Sequence, residues 1–139
     1  MVGRLALESL PPRLNDLMSG GHWSHGHRKK QEFYHDLAVA AVDWGIVPVA
    51  GPARLEIVFG DARRDWDAGL KALCDGLEQI QAVENDSQFQ VAQVVRVPKR
   101  LMDPAVLMRW GPVVPWTTAD IEAWWGGQVR ARGPRGGLR

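Results

Sequence analysis

The sequence predicts a mixed α/β (α+β) domain, a small mixed sheet covered by two main helices. Three observations predict it. Residues 54–59 alternate, with Leu55, Ile57 and Phe59 on one side and Arg54, Glu56 and Val58 on the other, the period of a half-buried strand. Phe33, Leu37, Ala40, Ala41 and Trp44 recur at spacings of three and four, as do Leu70, Leu73, Cys74, Leu77 and Ile80, the period of a helix with one apolar face. The order strand, loop, helix, strand, helix, strand suits a sheet with helices packed on it.

Taken in order, residues 2–9 read as a short strand stopped by Pro11-Pro12. Residues 10–30 are rich in Pro, Gly, Asn, Ser and His and read as a long loop, of the kind that is usually functional or mobile. A helix is expected over 28–44, with Gly45 as its stop. Pro48 and Pro52 bracket a turn before the strand at 54–59, which Gly60-Asp61 ends. A second helix follows over 67–80, then a turn at 83–87. The valines at 91, 94, 95 and 97 mark a strand over 89–97. Beyond it Pro98, Pro104, Pro112 and Pro115 interrupt the chain, and 118–125 reads as a short helix capped by Thr117 or Thr118. The expected division is a main domain over 1–97, an extension over 98–125 packed on that domain or at a dimer interface, and a disordered Gly/Arg-rich tail over 126–139.

The 139 residues suit one domain, and a chain of this size buries roughly 70% of its unfolded surface. No apolar run approaches the ~20 residues that cross a bilayer, and Glu8 interrupts any secretory core near the start. The single cysteine, Cys74, excludes an intramolecular disulfide and a Cys-rich zinc site. A cytoplasmic chain with no membrane and no disulfide-linked partner is the expectation. The net charge of +1 conceals an asymmetry. Residues 46–98 hold five basic and eight acidic side chains, whereas 99–139 hold seven basic and three acidic. An acidic middle repels DNA unless a metal neutralises it, and a basic tail attracts phosphate through counterion release. A solvated middle and a disordered tail would give the same balance.

Chemistry concentrates between residues 63 and 88. Arg63-Arg64-Asp65-Trp66-Asp67 sets two carboxylates beside paired arginines. Lys71 follows four residues after Asp67, Asp75 follows Lys71 by four, and Asn85-Asp86-Ser87-Gln88 forms a turn after the helix. Phosphodiester hydrolysis needs an activated water, neutralised phosphate charge and a stabilised leaving oxygen, and Mg²⁺ held by carboxylates supplies all three. Mg²⁺ takes hard oxygen ligands, usually one or a few carboxylates with waters and substrate phosphate. Asp65 just before the helix and Asp67 on its first turn can point the same way, with Lys71 one turn on. If the strand at 89–97 pairs beside 54–59, Asp86 can approach them. Simpler readings stay open. Asp65 or Asp67 could cap the helix, Asp67–Lys71 could be a surface pair, and Asn85-Asp86-Ser87 could be only a turn.

The segment from Arg63-Arg64-Asp65-Trp66-Asp67 through Lys71 to Asp75-Gly76-Leu77, followed by Asn85-Asp86-Ser87-Gln88, resembles the signature of the RusA family of Holliday-junction resolvases. Leu10-Pro11-Pro12-Arg13-Leu14-Asn15, after the first strand, agrees with the family too, and the similarity covers roughly residues 2–97. The resemblance implies a homodimeric, Mg²⁺-dependent endonuclease that cleaves four-way DNA junctions, with Mn²⁺ as a substitute metal. By position, Asp65, Asp67 and Asp86 would be the catalytic, metal-binding acids. Lys71 would be the catalytic lysine, and Asp75 a supporting acid. Asn15, Arg63 and Arg64 would face DNA. Two positions depart from the pattern: Ala68 stands where the family usually has Asn, and Asn85 where an acid is frequent. A four-way junction is two-fold symmetric, so paired nicks suit a two-fold symmetric enzyme.

His22, His25 and His27 match no structural zinc spacing. With Arg28, Lys29 and Lys30 they form either a loop that touches DNA phosphate or a solvated helix start. Of the seven tryptophans, Trp44 is expected in a helix core and Trp66 turned into the core. Trp110, Trp116, Trp124 and Trp125 are expected to pack the extension onto the domain or across a dimer interface, where Trp is enriched. Stacking on unpaired bases is the alternative use. Cys74 reads as a small apolar residue on a buried face.

Overall fold

The computed structural model describes residues 1–13, 23–130 and 132. Four strands, β1 (Gly3–Leu7), β2 (Ala53–Phe59), β3 (Phe89–Arg96) and β4 (Val106–Pro112), form one sheet in the order β1-β4-β2-β3. β4 runs antiparallel to both β1 and β2, whereas β2 and β3 run parallel. The helices are α1 (Trp23–Trp44), α2 (Leu70–Gln79) and α3 (Thr118–Trp125). The fold is thus the expected mixed sheet with two main helices.

Alternation decides which side of the sheet is covered. Leu5 and Leu7 of β1, Leu55, Ile57 and Phe59 of β2, and Val106, Met108 and Trp110 of β4 all point to one face. They form one core with Phe33 and Leu37 of α1 and Leu73 and Leu77 of α2. The two helices come close enough that a Cβ at Gly76 would collide with Leu37 Cδ2. Gly45 ends α1 with φ +77° and donates its N–H to Ala41 O, the expected left-handed stop.

Four expectations are corrected. First, α1 begins at Trp23, inside the segment read as loop. Gly26 is a buried helical residue, and a lone glycine costs a helix interior only about 1 kcal/mol, little against a 22-residue helix. Second, α2 starts at Leu70 rather than 67, because residues 65–69 form turns: Ala68 N–H bonds Asp65 O, Leu70 N–H bonds Asp67 O, and Gly69 takes φ +88°. Third, residue 97 is no boundary. β4 lies in the middle of the sheet, and Trp110 is fully buried over Gly3, with its indole N–H donated to Val47 O at 2.8 Å. The prolines around β4 obscured a strand that Val106, Met108 and Trp110 mark by their alternation. Fourth, Trp44 and Trp66 are not core residues: they are 46% and 60% exposed, and Arg4 lies over the Trp44 ring.

Thr117 caps α3 as expected, accepting from Asp120 N while Asp120 accepts from Thr117 N. Trp116, Trp124 and Trp125 are all more than half exposed and do not pack onto their own domain. No described helix is long and apolar enough to cross a membrane, and Cys74 is a free thiol.

Candidate functional site

Two local structures carry the predicted residues. The first is the loop 60–69 after β2. Asp65 and Asp67 are exposed there, their carbonyls holding the turns that lead into α2. The loop is braced from inside by Arg64. Its guanidinium donates to Pro11 O, lies 5.9 Å from the Phe59 ring, and sits beside Gly69, where a Cβ would meet Pro11 Cγ at 2.5 Å. Arg96 Nη1 in turn donates to Arg64 O at 2.6 Å. Arg64 therefore holds the Pro11 turn against the motif loop. A groove of about 1000 Å³ opens beside this brace and brings together Lys29, Arg63 and Arg64, three of the residues expected at DNA, along with Glu8, Glu32, Asp36, Asp43 and Asp61.

The second is the turn before β3. Asn85 caps a single 3₁₀ turn (Asp86–Gln88), accepting from Ser87 N at 2.8 Å. Gln88, quoted in the motif without a role, is the clamp of this turn. Its Oε1 accepts from Glu84 N and Asn85 N, and its Nε2 donates to Val49 O and Gly51 O. Asp86 N–H donates to Glu78 of α2 at 2.5 Å. The turn is thus fixed to the helix and to the segment before β2.

Lys71 links the two. Its ammonium lies 3.0 Å from Asp75 and 3.9 Å from Asp86, with its side chain 62% exposed. The hydrogen bond to Asp75, followed by that residue's charge, holds the ammonium above the usual lysine pKa. Asp67 is not one helical turn before Lys71, since it lies ahead of the helix. The pairing partner within α2 is Asp75. Burial and then the charges of Asp86 and Asp75 push the Cys74 thiol up to about 11, so it stays protonated and inert. Tyr34 of α1 was not anticipated. Lys30 lies over its ring at 5.6 Å, and burial, then the charge of Asp75, raises its hydroxyl pKa. The i,i+4 spacing of Lys30 and Tyr34 was its only sequence signal.

The structure brings together Lys71, Asp75 and Asp86. Asp65 and Asp67 lie outside this group, on the loop that follows β2. β3 does pair beside β2, but in parallel, with Ala53 opposite Phe89 and Phe59 opposite Arg96. Asp86 precedes the start of β3, whereas Asp65 and Asp67 follow the end of β2, and those strand ends are about 20 Å apart at ~3.3 Å per residue. Among the described residues no three His, Cys, Asp or Glu side chains are grouped so as to hold a metal ion. The donors themselves suit a hard cation, being carboxylates alone, and Mg²⁺ is commonly held by one or two of these with waters and phosphate. Arg28 is exposed on α1, and Lys29 and Lys30 are half-buried on it. Asn15 and His22 lie outside the described residues, as does most of the Gly/Arg-rich tail. No protein-family model matches this chain, and comparison with curated proteins finds no match.

Proposed function

We propose that this protein is a Mg²⁺-dependent endonuclease that resolves four-way (Holliday) DNA junctions by symmetric phosphodiester hydrolysis, in DNA recombination and repair. In this reading it works in the cytoplasm as a homodimer, with Mn²⁺ as a substitute metal. The observation that carries the reading is the position of Lys71 within ion-pair reach of Asp86, two motif residues joined across fifteen positions of chain. It is supported by the RusA-like run of residues from Arg63 to Gln88.

Asp65 and Asp67, exposed and adjacent on one loop, are the residues that would hold the metal, while Asp86, which the strand directions set apart from them, would help Asp75 hold Lys71 in place. The metal, when bound, supplies an activated water and neutralises phosphate charge. The Lys71 ammonium is exposed and held protonated by its carboxylate neighbours. It is therefore available to stabilise charge on the phosphate as the leaving oxygen departs. Asp75 orients Lys71 through its 3.0 Å hydrogen bond and so positions rather than reacts. Arg63 and Lys29, in the groove beside the motif loop, supply phosphate contacts that place the backbone without reading sequence.

The test is nicking of a synthetic four-way junction against linear duplex, with Mg²⁺ and then with EDTA. Paired, symmetric, EDTA-sensitive cuts on the junction alone support the reading. Cutting that is indifferent to EDTA, or equal on duplex, overturns it. A second reading is a non-catalytic branched-DNA-binding protein with a decayed metal site. Ala68 at the usual Asn position, and the separation of Asp86 from Asp65 and Asp67, favour it. It predicts salt-dependent junction binding and no product in Mg²⁺ or Mn²⁺.

A further inference from the structure

Among the described residues, two apolar surfaces of this chain lack a partner. One is α3. Ile121, Trp124 and Trp125 fall at i, i+3 and i+4, so they share one helix face, and they are 38%, 72% and 66% exposed. The two indoles stack on each other at 6.2 Å. Among the described residues α3 has no buried side chain and makes no substantial contact with another helix or strand. The other surface is the sheet face turned away from α1 and α2. The strand registers line up Ala6, Leu107, Val58 and Val95 as one apolar row across all four strands. The next row is Arg4, Arg109, Glu56 and Gln93, and a groove of about 370 Å³ lies over both.

We propose that these surfaces belong to each other in trans, with α3 of one copy docking on the open sheet face of a second copy, and the reverse. Charge fits the pairing. The sheet face carries Arg4, Arg54 and Arg109 against Glu56 alone, and Glu56 is already shared between Arg54 and Arg109. The helix carries Asp120 and Glu122 and no base, one carboxylate on either side of its apolar stripe. Size fits as well. An eight-residue helix is about 12 Å long, and a row across four strands spans about 14 Å. Tryptophans bury about 150–250 Å² each. Two from each arm, with Ile121 and the faces that receive them, approach the ~800 Å² per partner of a standard interface. This arrangement names the surfaces of the homodimer proposed above. Its test reads mass rather than cutting: a dimer that survives the helix substitution overturns these surfaces alone, a monomeric wild type also removes the homodimer from that reading, and loss of cutting by a dimer leaves the surfaces standing.

The experiment is the molar mass of the full chain in solution by light scattering or sedimentation at tens of micromolar. Wild type is expected as a dimer. The double variant Trp124→Ser, Trp125→Ser, which lacks the helix stripe, and the variant Leu107→Glu, which lacks the receiving row, are each expected as monomers with the wild-type circular dichroism spectrum. Because Leu107 is 40% exposed and the Arg109 side chain 63%, Arg109→Glu serves as a second variant of the receiving face that disturbs the strand less, and is also expected to be monomeric. Mixing the double helix variant with Arg109→Glu is expected to give a weaker dimer than wild type, because the single remaining helix meets an unaltered face. A monomeric wild type, including one whose helix folds onto its own sheet, overturns the proposal. So does a dimer that survives the double helix substitution.

Discussion

The Lys71 ammonium stands 3.9 Å from the Asp86 carboxylate, bridging the start of α2 and the turn that precedes β3. The contact exists because α2 runs back along the sheet while β3 starts beside the start of β2. It joins two motif segments that the sequence separates by a helix.

Removing the charge at this contact is expected to separate chemistry from folding. Lys71→Met should lower junction cutting by a hundredfold or more, on the scale of losing a preorganised charge-stabilising group. Because the side chain is 62% exposed, the melting temperature should stay within a few degrees of wild type. Unchanged cutting by the folded variant would remove Lys71 from the mechanism.

Asp67→Asn is expected to abolish cutting while leaving junction binding intact or tighter, since a repelling charge is removed at an exposed site. Wild-type cutting rates in this variant would show that Asp67 is not needed. Restoring the missing amide by Ala68→Asn tests the rival reading: a large gain in cutting points to a decayed site.

The titration of Lys71 and Cys74 has a definite sign. The folded pKa of Lys71 is raised, so the stability from its Asp75 contact is fully present below the lysine's ordinary value of 10.5 and is lost as pH climbs past it. Asp75→Asn should lower the Lys71 pKa, read by NMR of the side chain. Cys74 is held at about 11 against an ordinary 9.0, so the unfolded chain releases its proton first and stability falls as pH rises above about 9. Disulfide-exchange reagents at pH 8 should react slowly with the native protein and rapidly in denaturant. Equal rates would place Cys74 at the surface.

Gly69→Ala is expected to destabilise the domain by about 2–4 kcal/mol, combining a left-handed backbone with a collision against the buried Pro11. Chemical denaturation checks it. A neutral result would mean that the Pro11 turn is free to move off the motif loop.

Chain truncation separates the two halves of the C-terminal region. Ending the chain after Val97 removes β4, the strand between β1 and β2, and should unfold the domain. Ending it after Val113, whose N–H bonds Pro52 O, should leave a cooperatively folded domain whose far-ultraviolet signal falls only by the contribution of α3. Trp110→Ala alone should cost about 3–5 kcal/mol, the usual loss for a large buried aromatic.

Sequence by itself determined the elements whose period is strong and whose ends are marked. These are β2 by its alternation, the apolar face of α2, the Gly45 stop of α1 and the Thr117 cap of α3, because each depends on neighbours within a few positions. It also singled out Lys71, Asp75 and Asp86. The tertiary structure alone decided which strand lies beside which. β4 takes the centre of the sheet because its Val106, Met108 and Trp110 complete a core begun a hundred residues earlier, which no local pattern records. Strand direction was likewise invisible. The parallel pairing of β2 and β3 sets Asp86 against Lys71 and away from Asp65 and Asp67, since direction follows from how α2 crosses the sheet and not from the residues of either strand.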